Sequence, residues 1–150
     1  MSGSKKRLAV VLLVLWFPAL CETHDAHSGN DEARRQAQPW LALKNALTSS
    51  NGADYFKTNL QDAEVPGGAN GLAFLKGTVL SSEPSDQPET LVLAMSDKTT
   101  QEVTLRLHPP FDHTLTAGTE FEFSGIAKSF TSDPFMLTFD LLRFRISPRE

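Results

Sequence analysis

The chain carries one cysteine (Cys21), one tyrosine and two tryptophans in 150 residues. A lone cysteine cannot close an internal disulfide, so any folded domain here rests on its own apolar core. No apolar run approaches the roughly 20 residues that span a bilayer as a helix. Basic residues are also scarce, 14 Lys and Arg against 18 Asp and Glu for a formal charge of −4. Past residue 7 they form no cluster of the kind that binds phosphate backbones, which argues against nucleic acid as a partner. Gly-x-Ser-x-Gly, the phosphate-loop pattern and His-Glu-x-x-His are all absent, so the sequence offers no motif for those chemistries.

What is present begins at the N-terminus. Lys5-Lys6-Arg7 precedes the ten-residue apolar run Leu8–Phe17, which Pro18 breaks. A basic stretch, a short apolar run and then small residues predict a secretory signal peptide over residues 1–21, and hence a periplasmic or extracellular protein. Cleavage after Cys21 places the small Ala19 three residues before the cut. A rival reading makes Cys21 a lipidated first residue, but Leu20 before it fits a lipobox poorly. An uncleaved anchor is disfavoured by the short run and by Pro18. Cleavage removes three basic residues and no acidic one, leaving 11 against 18 and a charge of −7. The remaining chain of about 129 residues suffices for one small domain with a real core.

Residues 22–30 are polar and without period, and read as a disordered leader. Residues 31–70 read as a helical segment that packs on the β-rich remainder of the chain. Pro39 suits a first helical position. Trp40, Leu43 and Leu47 then recur at helical spacing, and Asn51-Gly52 is a stop. A second short helix is expected over Ala53–Asp62, with Phe56 and Leu60 one turn apart. Three glycines and a proline between Glu64 and Gly71 break the helical pattern.

From Leu72 the period becomes two, and five strands are expected over residues 71–150. In the third, Val103, Leu105 and Leu107 alternate with Glu102, Thr104 and Arg106, which predicts one apolar and one solvent face. In the last, Phe135, Leu137, Phe139 and Leu141 share a phase. Leu142, Phe144 and Ile146 take the other, so a β-bulge or a strong coil at Leu141-Leu142 is expected to put both sets inward. The fold class is therefore mainly β with N-terminal helices (α+β): a small five-stranded antiparallel barrel preceded by two short helices. Too few residues separate the third and fourth strands for a helix there. The N-terminal helices are expected to cover the barrel end that such a helix would plug.

Leu75-Lys76-Gly77-Thr78-Val79 opening the barrel and Gly118-Thr119-Glu120-Phe121-Glu122-Phe123-Ser124-Gly125 as its fourth strand resemble the OB-fold superfamily over Gly71–Ile146. The stretch Trp40–Phe139, including Tyr55-Phe56 and Asp133-Pro134-Phe135, is similar to modules of exported bacterial proteins, some attached to tetratricopeptide-type helical repeats. This resemblance covers about two-thirds of the chain. It implies a fold and no particular activity.

Candidate chemistry is sparse. Cleavage after Cys21 would expose Glu22-Thr23-His24, whose amine, two amides and imidazole suit square-planar Cu(II) or Ni(II). A chance histidine in a polar leader is the plainer reading. His108 and His113 flank Asp112 and could make a weak metal or acid–base site, against the reading of a solvated loop. No cysteine and no further histidine completes a zinc set there. Glu120 and Glu122 share one strand face, more simply a solvent face than an acid–base pair. Eight phenylalanines and no Trp or Tyr follow Gly71. Phe111 and Phe130 fall in expected loops and are the candidates for an exposed docking patch, unless each folds back over a barrel end.

These features lead to the expectation of an exported, non-catalytic binding module with a protein partner and no cofactor. Metal handling or catalysis through the histidines is one alternative. Oligosaccharide or single-stranded nucleic-acid binding is another, which the acidic charge and the missing Trp and Tyr disfavour.

Overall fold

The computed structural model of the chain describes residues 28–68 and 72–147, with side chains from residue 38 onward. Two helices, α1 (Ser28–Thr48) and α2 (Gly52–Tyr55), come first, and α2 runs into a wider π-helical turn at Phe56–Leu60. Gln61 N donates to Phe56 O at 2.8 Å, five residues back, as that wider turn requires. Six strands follow: β1 (Glu64–Val65), β2 (Leu75–Glu83), β3 (Thr90–Ala94), β4 (Val103–Arg106), β5 (Glu120–Ser132) and β6 (Phe135–Ile146). The signal-peptide, Cys21 and His24 assignments lie outside the described residues. Helix α1 starts at Ser28, inside the stretch 22–30 expected to be a leader, and Pro39 lies within the helix rather than at its start.

Five strands close into a barrel. β2 pairs β3, β3 pairs β4, β4 pairs β6, β6 pairs β5, and β5 returns to β2. Every pair is antiparallel except β4–β6, which is parallel. The expected five-stranded, mainly antiparallel barrel is present, and its one parallel pair follows from simple geometry. Strand direction must alternate around an antiparallel ring, and an odd number of strands cannot alternate all the way round. β1 lies outside the ring and pairs with β5 alone, Glu64 opposite Ile126 and Val65 opposite Gly125.

The expected phase slip in the last strand is present. Ser124 faces Arg143 and Gly125 faces Leu141, so Leu142 is the extra residue of a bulge. It points outward and is 51% exposed. Phe144 and Ile146 thereby return to the side of Phe139 and face Phe123 and Phe121. A second bulge in β5 turns Lys128 out, where its Nζ meets Asp62 Oδ1 at 2.6 Å. Gly77 and Gly125 sit where a neighbouring strand comes very close. A Cβ on Gly77 would lie 2.7 Å from Met95 Sδ and 3.0 Å from Ala94 O, and one on Gly125 would lie 2.8 Å from Asp140 O.

Alternation in the strands puts Val79, Leu93, Leu105, Phe121, Phe123 and Phe139 inside the barrel, each fully buried. Trp40, Leu47, Phe56 and Leu60 on the helices join the same apolar cluster, so helical segment and barrel share one core. The helices sit at the end where β4 and β6 begin: Trp40 meets Phe135 edge-on at 6.0 Å, and Phe56 meets Phe130 at 5.0 Å. A helix inserted between β4 and β5 would lie at the opposite end, so the expected placement is corrected. The β4–β5 connection closes that end itself. Leu107 and Leu115 are buried. Leu107 N donates to Glu89 O at 2.8 Å, Phe111 N to Pro88 O at 3.0 Å and Gly118 N to Val79 O at 2.8 Å. Among the described residues no helix is long and apolar enough to cross a membrane.

Candidate functional site

The barrel end formed by the β4–β5 connection carries a continuous aromatic cluster. Pro109-Pro110 lies three residues past the end of β4 and the chain turns back there, which lays Phe111 across the mouth. Its ring packs on Phe144 at 4.7 Å and on Phe121 at 6.2 Å, while Phe121 and Phe144 stack within 6° of parallel at 5.6 Å. The His113 ring stacks on Phe111 within 4° at 5.7 Å. Phe121 is fully buried, Phe111 half-buried, and Phe144 is 42% exposed. The cluster thus runs from the core to the surface, and Phe144 is its outermost phenylalanine. Offset aromatic packing of this kind adds about 0.5–1.5 kcal/mol per pair beyond area burial. Sequence reasoning placed Phe144 with the inward set and missed its exposure. It lies near the C-terminal end of the last strand, and that position was the available signal.

Phe130 is elsewhere. It lies within β5 rather than in a loop, because β5 runs on to Ser132 and only Asp133-Pro134 separates it from β6. Its ring packs on Phe56 at the helical end. No ring contact joins Phe111 to Phe130 among the described residues, so the structure does not bring the two into one patch.

His108 and His113 are both exposed. His113 Nδ1 lies 2.7 Å from Asp112 Oδ1, and this hydrogen bond holds the Asp112 carboxyl below its ordinary range. Among the described residues no three His, Cys, Asp or Glu side chains converge as a metal site would need. Glu120 lies on the outer barrel surface and pairs with Lys76 at 2.7 Å.

One buried polar group escaped the sequence reading. Alternation assigned Glu102 to the solvent face of its strand, yet it is 1% exposed. Its Oε1 accepts from Lys44 Nζ of α1 at 2.5 Å and from Ser96 Oγ at 2.7 Å. Its Oε2 accepts from the backbone amides of Met95 at 3.0 Å and Ser96 at 2.6 Å. Burial pushes the carboxyl pKa up, but these four donors outweigh it and the net shift is downward. A depressed folded-state pKa gives stability that is present above the unfolded value and lost as pH falls through the folded one. Glu102→Gln should therefore flatten the acid limb of stability. Urea midpoints for both proteins at intervals below about pH 5 test this; parallel pH curves would refute it.

The helices leave a groove of about 370 Å³ against the barrel. Pro39, Ala42 and Leu43 of α1 form one wall, and Glu64 and Val65 of β1 form another. Tyr55 and Asn59 also line it. Glu64 Oε1 is held by Arg143, and Arg145 covers the Phe74 ring at 4.5 Å.

These features define the class: a small closed mixed β-barrel with two N-terminal helices in a common core. Compared with known families, with characterised proteins and with solved structures, the chain has no match.

Proposed function

We propose that this chain is an exported, non-catalytic protein-interaction module built on an OB-type barrel, with its contact surface at the aromatic mouth around Phe144. The observation that carries the reading is Phe144 itself. A phenylalanine 42% exposed on a packed aromatic base has the character of an interface anchor, since its base is already ordered and little entropy is lost when a partner covers it. The ring order β2-β3-β4-β6-β5, with its single parallel pair, supports the OB assignment. Export is supported by Lys5-Lys6-Arg7 and the apolar run Leu8–Phe17. The acidic charge disfavours nucleic acid and anionic membranes.

The test is a photo-crosslinking amino acid placed at Phe144 in cells, with Ser85 in the exposed β2–β3 loop as control. One reproducible protein adduct is expected from position 144 and none from position 85. Phe144→Ser should reduce recovery of that partner about tenfold, equivalent to roughly 1.4 kcal/mol, at a temperature where both proteins are folded; its midpoint should fall by a few degrees from the lost packing on Phe111 and Phe121. Equal capture from both positions would overturn the mouth as the surface. The mass of the mature protein tests export: a chain starting at Glu22 is expected, and an unprocessed Met1 would remove that part of the reading.

A further inference from the structure

We infer that the groove between α1 and β1 receives an extended peptide segment, which adds as a strand to the free edge of β1 and points a basic side chain at Glu64. This rests on the reading of the chain as a protein-interaction module and assigns a partner chemistry to a groove whose lining does not include Phe144.

Three observations converge on it. First, β1 pairs with β5 on one side only, and its other edge makes no hydrogen bond among the described residues. Closure of the barrel removes the edges of the other five strands, whereas β1 stays outside the ring. A bare edge is a template for an added strand. At about 3.3 Å per residue, a segment of only two or three residues spans Glu64–Val65. Second, the space beside β1 is a groove of about 370 Å³ walled mainly by apolar side chains, Ala42, Leu43, Leu60 and Leu75 among them. That suits the alternate side chains of an extended peptide. Third, the groove selects charge. Among the described residues Glu64 is the one charged residue that lines it, and Arg143 engages Oε1 and not Oε2 of its carboxylate. The second oxygen is left for a lysine or arginine, and the negative charge of the chain steers a basic segment toward it.

The test is an amide chemical-shift titration of the full-length chain with a capped peptide, Thr-Val-Lys-Val-Thr. Saturable shifts are expected at Glu64, Val65, Tyr55 and Asn59. A glutamate-centred analogue should bind about tenfold more weakly, and a peptide N-methylated at alternate amides should not saturate. Ala42→Trp fills the groove from an exposed helix position and should abolish the shifts. Leu41→Trp, on the neighbouring exposed position, should leave them intact and controls for folding. No saturable shift at β1, or equal binding of the N-methylated peptide, would overturn the inference. So would shifts that appear on concentrating the protein without peptide, which would mean a second copy fills the groove. If the groove is silent while the Phe144 probe still captures its partner, this inference alone fails. If the groove binds peptide and Phe144 captures nothing, the mouth is wrong and the groove stands.

Discussion

Glu102→Ala is expected to cost about 3–5 kcal/mol, the range for breaking a buried ion pair by removing one partner. Glu102 is fully enclosed and its four donors come from three places: Lys44 on the helix, the Ser96 hydroxyl, and the backbone amides of Met95 and Ser96. Removing the carboxylate leaves those donors facing a void, and each lost partner carries a desolvation penalty. Because a domain of this size is stable by only about 5–15 kcal/mol, the variant should unfold at markedly lower urea, or fail to accumulate. The double variant Lys44→Met/Glu102→Leu removes the charges together and should recover only the part of the loss due to the uncompensated Lys44, because the Met95 and Ser96 amides and the Ser96 hydroxyl still lack their acceptor. Urea unfolding of the three proteins decides it: a single-variant loss below about 1 kcal/mol would mean that water replaces the carboxylate.

Trp40→Ala should cost a comparable amount, about 3–5 kcal/mol, as large core aromatics do when truncated. Trp40 is 2% exposed and meets Phe135 at the head of β6, so its loss opens a cavity where α1 joins the barrel. Trp40→Phe should be far milder, about 1 kcal/mol or less. Among the described residues the buried indole Nε1 has no hydrogen-bond partner, and phenylalanine removes that unsatisfied donor while keeping most of the ring contact. Thermal unfolding followed by far-ultraviolet circular dichroism separates the two. Equal losses would show that the indole, rather than aromatic volume, matters at this position.

How legible these features were depends on their range. The bulge in β6 was legible because it is local: a period of two that changes phase between Leu141 and Leu142 leaves one residue unpaired, and the pairing with β5 skips Leu142. The helical face Trp40–Leu47 was legible for the same reason, and both residues are buried. Glu102 was illegible because its donors lie outside its strand, on Met95 and Ser96 and on Lys44 58 positions away, and no spacing within the strand encodes them. The parallel β4–β6 pair lies in the closure of the ring, a property of strand number rather than of any segment. Phe111 and Phe130 looked alike as phenylalanines near polar turns. Their environments differ because the β5–β6 turn is very short, and β5 therefore carries Phe130 to the opposite end of the barrel from Phe111.

The ring closure also fixes an order of assembly. At the tip of the β5–β6 hairpin Ser132 faces Phe135, so pairing there starts between neighbours. The β2–β3 and β3–β4 hairpins are likewise local. The seam that seals the barrel joins Leu75 to Phe123, 48 positions apart, and must pay the entropy of a long loop before its contacts form. Such non-local pairing slows folding. A nascent chain that ends short of β5 holds a three-strand meander with both flanks bare, and it stays so until the last quarter of the sequence is in place.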